Sequence, residues 1–357
     1  MGQTINGRIG GEFEIDPKYL AGKPQPGGHT PTFGCPNEVW LDTGRSALKL
    51  ALEHISSAGT SGKAWVPAYV CPSVTHAFKS KGFSVRYYAV EPDLGLRSLP
   101  ASFATSDKRD VFLFIHYFGR PNKDAVRLLS TLSKKPWIIE DAAQAPFLKS
   151  AWVSSDFIFN SLRKAFPQPD GALLGSPHPF AHKLAEPLDP FISKRVLGKT
   201  LRHSSEDEEK YLRLFEESER ELEKENPPRM ISPVSKRLMT QENFSTAAET
   251  RKFNYRVLAH ALTGMTRVST LWSDVPDDFV PLGLPVVVAR DGRDALRSYL
   301  RERRIYCPVH WHLDSEVIEE TNSAHELSRR ILTLPIDQRY GGSDMARVAD
   351  EIRKFSP

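Results

Sequence analysis

The stretch DVFLFIHYFGRPNKDAVRLLSTLSKKPWIIEDAAQ (110–144) decides the fold. DVFLFIHYFG (110–119) is a nearly continuous apolar run ending in glycine. KDAVRLLSTLSK (123–134) has helical spacing, and WIIEDAA (137–143) is strand-like again. An apolar strand without alternation is covered on both faces, and a helix between two such strands is the crossover of a parallel pair. The pattern continues in both directions. Toward the N-terminus, RSALKLALEHISS (45–57) carries Leu48, Ala51, Leu52 and Ile55 at i, i+3, i+4 and i+7, an amphipathic helix. AWVPAYV (64–70) and FSVRYYAV (83–90) are short β-rich runs, and DFIFNSL (156–162) and GALLGS (171–176) add strands toward the C-terminus. The expectation is an α/β domain whose mostly parallel, mixed sheet is sandwiched by helices.

SSEDEEKYLRLFEESERELEKENPPR (204–229) differs. It is dense in charge, with Leu212, Phe215 and Leu222 on one side, and it reads as a solvated linker helix stopped by Pro227-Pro228. A helix (244–264), a strand (285–290), a helix (291–304) and a strand (305–311) follow. The last helix (343–355) has Met345, Val348, Ile352 and Phe355 as its stripe and Ser343 as its N-cap. This is a smaller α+β C-terminal domain. The expected division is an N-terminal arm 1–29, a large domain 30–203, a charged linker helix 204–229 and a small domain 230–357.

The chain's 357 residues correspond to about two domains at roughly 150 residues each. With 40% hydrophobic and 26% charged residues, disordered, collagen-like and coiled-coil chains are excluded. A net charge of +4 is too small to argue for nucleic acid. Cys35, Cys71 and Cys307 are odd in number and far apart, which speaks against a disulfide framework or zinc site and for a reducing cytoplasm. No run approaches a membrane span, and the start lacks the apolar stretch of a signal peptide. His310 and His312 share a strand face, yet no third ligand stands near them, so no metal is expected. Proline (27) outnumbers glycine (22), an unusual balance.

Three segments carry candidate chemistry. Leu41-Asp42-Thr43-Gly44-Arg45-Ser46 is a small polar turn opening a helix. Its free N–H groups, Arg45 and the hydroxyls of Thr43 and Ser46 suit a phosphate, although Thr-Gly-x-Ser is also an ordinary helix start. Ile138-Ile139-Glu140-Asp141-Ala142-Ala143-Gln144 places two acids where an apolar strand ends, the usual ligand position in an open α/β sheet, or else Asp141 caps a helix. In Ser161-Leu162-Arg163-Lys164 a lysine follows a strand. A lysine near an aldehyde forms a Schiff base and shuttles protons; taken singly, Arg163 and Lys164 read equally as solvated loop charges.

Taken in order, TGRSAL, PAYVCPS, IHYFG, IEDAAQA and SLRK, with a later Pro-Asp-Gly and a closing LPIDQRYGGSDMARVADEI, resemble the DegT/StrS-type sugar aminotransferases. These are pyridoxal phosphate (PLP) enzymes of fold type I, the aspartate aminotransferase superfamily. The resemblance runs from about residue 10 to the end. It implies that Lys164 binds PLP covalently and acts as acid and base, that Asp141 pairs with the pyridine nitrogen, that Gln144 lies near the ring hydroxyl, and that Gly44, Arg45, Ser46 and Ser161 hold the phosphate. Many relatives stack an aromatic residue on the ring after Pro-x-Tyr. Here Val70 and Cys71 follow Tyr69, which puts Cys71 at that place. Pro-Asp-Gly-Ala (169–172) replaces the usual glycine run after the lysine. ISPVSKRLM (231–239) stands where a neighbouring subunit's phosphate-binding segment would be, making Ser235 and Arg237 candidates.

The resemblance implies a cytoplasmic homodimer moving an amino group, from glutamate, to a keto group of a nucleotide-activated sugar, for polysaccharide or glycosylated-metabolite synthesis. His310 and Trp311 are candidate substrate contacts. Lys194, Arg195, Lys199 and Arg202 either meet a diphosphate or form a solvated face. Two alternatives share the fold: a non-catalytic PLP- or sugar-nucleotide-binding regulator, and a transaminase for small non-sugar keto compounds.

Overall fold

The computed structural model describes residues 7–21, 31–57, 59, 62–101, 103, 108–132, 136–148, 155–181, 183–204, 207–224, 227–289, 292–313, 317 and 322–356. Parts of the predicted arm (1–6 and 22–29) and linker (205–206 and 225–226) lie outside them. The chain begins with β1 (Ile9–Gly10), α1 (Pro17–Ala21), β2 (Asn37–Leu41), α2 (Gly44–Ser57), β3 (Lys63–Pro67), α3 (Pro72–Ser80) and β4 (Ser84–Tyr88). Then come β5 (Val111–Ile115), α4 (Lys123–Ser130), β6 (Trp137–Ala142), β7 (Phe157–Asn160) and β8 (Ala172–Ser176). Four helices follow, α5 (Asp189–Ser204), α6 (Glu208–Glu223), α7 (Pro233–Met239) and α8 (Phe244–Ala261). The chain closes with β9 (Val268–Thr270), β10 (Leu284–Val288), α9 (Arg293–Glu302), β11 (Ile305–Tyr306), α10 (Asn322–Arg330), β12 (Ile331–Leu334) and α11 (Gly342–Lys354).

The main sheet has seven strands in the order β2-β8-β7-β6-β5-β3-β4. The pairs β4-β3, β3-β5, β5-β6 and β6-β7 are parallel; β8 runs antiparallel to both β7 and β2. The predicted α/β architecture with a mostly parallel mixed sheet is present. Every residue of β5, β7 and β8 is buried, which is why these strands show no alternation. From β3 the chain goes outward to β4, then returns to the other side of β3 for β5. The order therefore reverses between β3 and β5, and the crevice beyond the strand ends there is a natural ligand site. The α2 stripe Leu48, Ala51, Leu52 and Ile55 is buried as expected. A second, antiparallel sheet, β12-β10-β9, lies in the C-terminal part, and β1 pairs in parallel with β11.

Several local expectations change. The strand predicted at 305–311 is only Ile305–Tyr306. The α11 stripe is buried, but its N-cap is Gly341, whose N–H donates to Asp344 Oδ2 at 3.0 Å; Ser343 already lies inside the helix. The predicted linker helix forms as α6, yet it is no solvated bridge. It lies along α5 and buries Tyr211, Phe215 and Ser218, while Leu212 points outward, 47% exposed. Gly198 of α5 allows this contact, because a methyl there would press into the Phe215 ring at 2.6 Å.

The cations of α5 are likewise not a solvated face. Arg195, Lys199 and Arg202 are at most 2% exposed. Arg195 donates to Glu12 at 2.7 Å, Lys199 to the same carboxylate at 3.1 Å, and Arg202 to Glu14 at 2.9 Å. Only Lys194 stays partly exposed, bonded to Glu221 at 3.1 Å. An N-terminal strap carrying Glu12 and Glu14 thus neutralises one face of α5. The strap is seated by glycine: Gly10 has φ +82° and a side chain there would strike the Tyr306 carbonyl.

Candidate active site

A cavity of about 150 Å³ opens beyond the carboxyl ends of the parallel strands. Each wall comes from the loop or helix after a strand. Thr43, Gly44 and Arg45 follow β2, Cys71 and Ser73 follow β3, and Ile115 ends β5. Asp141, Ala143 and Gln144 come from the end of β6, while Ser161, Arg163 and Lys164 follow β7. His310 and Trp311 close it from the C-terminal part. Nine of the ten predicted site residues therefore meet in one place. Ser46 does not line the cavity; its N–H bonds Thr43 Oγ1 at 3.2 Å and its hydroxyl serves Asp42.

The polar groups here are poorly satisfied from within the protein. Asp141 is 5% exposed, and its carboxylate accepts one hydrogen bond, from the Ala143 N–H at 2.8 Å. Burial raises its pKa, with Lys164 and His116 opposing. A buried carboxylate with so little support calls for a cationic partner. The Lys164 side chain makes no hydrogen bond or ion pair among the described residues. Burial lowers its pKa, opposed by Cys71 and Asp141 and assisted by Arg163 and Arg45. Gln144 is 1% exposed; its Oε1 accepts the Phe118 N–H at 2.9 Å, and its Nε2 is buried without a partner. The first N–H groups of α2, those of Gly44 and Arg45, bond nothing among the described residues, and the Ser161 hydroxyl caps nothing.

Glu140 faces the other side of β6 and has another task. Asn122 N–H donates to His116 Nδ1 at 2.9 Å, so the ring proton sits on Nε2 and meets Glu140 Oε2 at 3.0 Å. His310 is held by Thr333 Oγ1 at 3.0 Å. Burial, with the charge of Lys164, pushes its pKa down to about 3, so the ring is neutral.

Arg163 is not a solvated loop charge. It donates to Glu219 of α6 at 2.6 Å and, with Lys164 and His310, also lines a second cavity of about 960 Å³. This larger space adds Glu12 and Phe13 of the strap, Arg195, Arg251, and Arg297 and Arg301 of α9. The α9 arginines carry no sequence signal beyond an amphipathic helix. Ser235 is wholly buried within its own chain. With Ser232 it bonds the buried Asp170 of its own chain, and Ser232 also gives its N–H to Asp170 at 2.9 Å. The ISPVSKRLM segment thus clamps the proline-bounded turn after Lys164, while Arg237 is exposed on α7.

No family model and no curated protein matches this sequence. Solved structures do match, over nearly the whole chain. DesI, solved in the presence of its TDP-sugar product, shares 16% identity over 99% of this chain and 92% of its own, with a TM-score of 0.66. Spr1654 from Streptococcus pneumoniae, solved in its PLP form, shares 13% over 97% and 94%, with a TM-score of 0.64. A DegT/DnrJ/EryC1/StrS aminotransferase from Brucella abortus shares 15% over 90% and 87%, with a TM-score of 0.63. The chain has the fold of these aminotransferases. At such identities the likeness fixes the fold and leaves the chemistry to the residues.

Proposed function

We propose that this protein is a PLP-dependent aminotransferase that aminates a keto group on a nucleotide-activated sugar, with glutamate as donor. The observation that carries the reading is the small cavity, where a partnerless lysine, an under-supported buried carboxylate and an orphaned glutamine amide converge beside free helix N–H groups. These residues fit PLP. Gly44 and Arg45 N–H and the Ser161 hydroxyl would hold its phosphate at the positive end of α2. Asp141 would keep a proton on the ring nitrogen, and Gln144 Nε2 would donate to the ring hydroxyl. Cys71 and Trp311 would flank the ring. Bound there, PLP supplies an electron sink for the carbon that loses its proton.

The chain's own residues supply the rest. Lys164, its amine held toward neutrality by burial, accepts a proton from one carbon and returns it to another. Neutral His310 stands between the two cavities and orients what enters the larger one. The larger cavity, rich in arginine, supports a phosphorylated substrate, and its volume suits one bigger than a simple keto acid. The same reading makes 30–203 the cofactor domain and 230–357 the smaller domain. It makes the protein a cytoplasmic homodimer; among the described residues no helix is long and apolar enough to cross a membrane.

The test is spectroscopic. Purified protein should carry a visible cofactor band that is lost in Lys164→Ala. Glutamate alone should convert the band to that of the amine form, in a half-reaction. A protein that never acquires the band when supplied with PLP would refute the reading.

A further inference from the structure

The two cavities meet at a charge cluster of three guanidiniums and one carboxylate, and Arg45 and Arg163 of it also line the small cavity. Arg163 Nη1 donates to Glu219 Oε1 at 2.6 Å, and Arg195 Nη1 lies 3.6 Å from the same oxygen. Arg45 Nη2 lies 3.4 Å from Glu219 Oε2. Guanidiniums from α2, from α5 and from the turn after β7 thus share one carboxylate of α6.

The arrangement is under-filled on the anionic side. A guanidinium offers five N–H donors, and a carboxylate has two oxygens. Among the described residues, Arg45 and Arg163 each use one nitrogen. Arg195 gives Nη2 to Glu12 and keeps a buried Nε without a partner. Burial works to raise the Glu219 pKa, yet the three arginines outweigh it and hold the side chain ionised. Arg195 is buried and fixed, whereas the Glu219 side chain is 31% exposed and lines the large cavity, so it has room to swing into water. Carboxylate and phosphate are the two oxyanions whose geometry an arginine fork matches, and a phosphate brings an additional oxygen and additional charge.

We infer that Glu219 is an internal stand-in for an oxyanion. It keeps Arg163 and Arg195 convergent on the large cavity, with Arg45 beside them at the small one, and a phosphate group of the substrate displaces it to take the arginines. Glu219 is then a positioning residue whose carboxylate competes with the ligand, so that only groups richer in charge than a carboxylate gain the subsite. The inference deepens the proposed function and rests on its phosphorylated substrate, not on its cofactor. The cofactor's own phosphate presents the same chemistry, and the experiment separates the two sources.

Pyrophosphate is titrated calorimetrically into the purified protein, both saturated with PLP and stripped of it. The variants are Glu219→Gln and Arg163→Gln, with Glu219→Asp as a second probe in case the first fails to fold. Pyrophosphate should bind the PLP-saturated protein, at least threefold more tightly in Glu219→Gln and less tightly in Arg163→Gln. Glu219→Asp, whose shorter side chain retreats from the arginines, should shift affinity in the same direction as Glu219→Gln. Unchanged or weaker binding on removing the Glu219 charge would overturn the inference, as would pyrophosphate binding confined to stripped protein. If the protein takes up no PLP, the proposed function fails, and the pyrophosphate titration still decides the role of Glu219.

Discussion

Arg251 on α8 is the clearest place to test how the lysine loop is held. Its side chain is fully buried. Nε donates to Gln338 Oε1 at 2.8 Å, Nη1 to the Leu282 carbonyl at 2.8 Å, and Nη2 to the Ala165 carbonyl at 3.0 Å. Gln338 Nε2 donates to that same carbonyl at 2.9 Å. Ala165 is the residue after Lys164, so one guanidinium ties the lysine loop to two segments of the C-terminal part. Arg251→Lys keeps the charge and loses the fork. An ammonium at the end of a shorter stem cannot serve three diverging acceptors. Losing two hydrogen bonds from a charged donor, at about 1.5 kcal/mol or more each, costs about 3 kcal/mol. With an unfolding entropy of about 2.1 cal/mol/K per residue, a chain of this length should lose about 4 °C in Tm. Calorimetric melts of wild type and Arg251→Lys measure this directly. A shift below 1 °C would show that the fork carries no stability and that the lysine loop is held by other means.

Further outcomes follow from other contacts. Gly10→Ala should lower stability by about 2 kcal/mol or more, since a left-handed φ alone costs an alanine about 1–2 kcal/mol; hydrogen exchange should show residues 9–15 losing protection first. The carboxyl of Glu14 is pushed up by burial and more strongly down by Arg339 and Arg202, leaving its folded pKa below the unfolded value. Its stabilisation is therefore present above the unfolded pKa of about 4.3 and lost as pH falls through the folded one. Urea midpoints of wild type and Glu14→Gln should differ at pH 7 and converge at pH 3. Ser235→Ala removes the hydroxyl's bond to the Asp170 carboxylate and the one it accepts from the Asp170 N–H. It should cost about 1–2 kcal/mol and leave the oligomeric state unchanged, as sedimentation can check.

How far the sequence alone could be read depends on where each residue's partners lie. The β5-α4-β6 unit is legible because its strands are buried on both faces and its crossover is local. β2 escapes because NEVWL is a half-buried edge strand whose partner, β8, lies far along the chain. Asp141, Gln144, Ser161 and Lys164 are legible because each stands at, or within four residues of, the end of a strand. The charges were harder. Arg195, Lys199 and Arg202 sit at i, i+4 and i+7, a spacing that puts three cations on one helix face. Their counter-charges, Glu12 and Glu14, belong to the start of the chain, so nothing local distinguishes a neutralised face from a solvated one. The same holds for α6, whose charge run hides that Glu219 faces three arginines.

The strap carrying Glu12 also has a consequence for folding order. Ile9 pairs with Ile305, Gly10 N–H donates to the Tyr340 hydroxyl at 2.7 Å, and Arg347 donates to the Gly7 carbonyl at 2.6 Å. Contacts this distant in sequence must close a long loop before they return any free energy, and they form late. During folding, Lys199 therefore lies on α5 without Glu12, and Arg195 with only Glu219, until nearly the whole chain has found its place. One wall of the large cavity is made by the beginning of the chain, and it can be set only after the end has arrived.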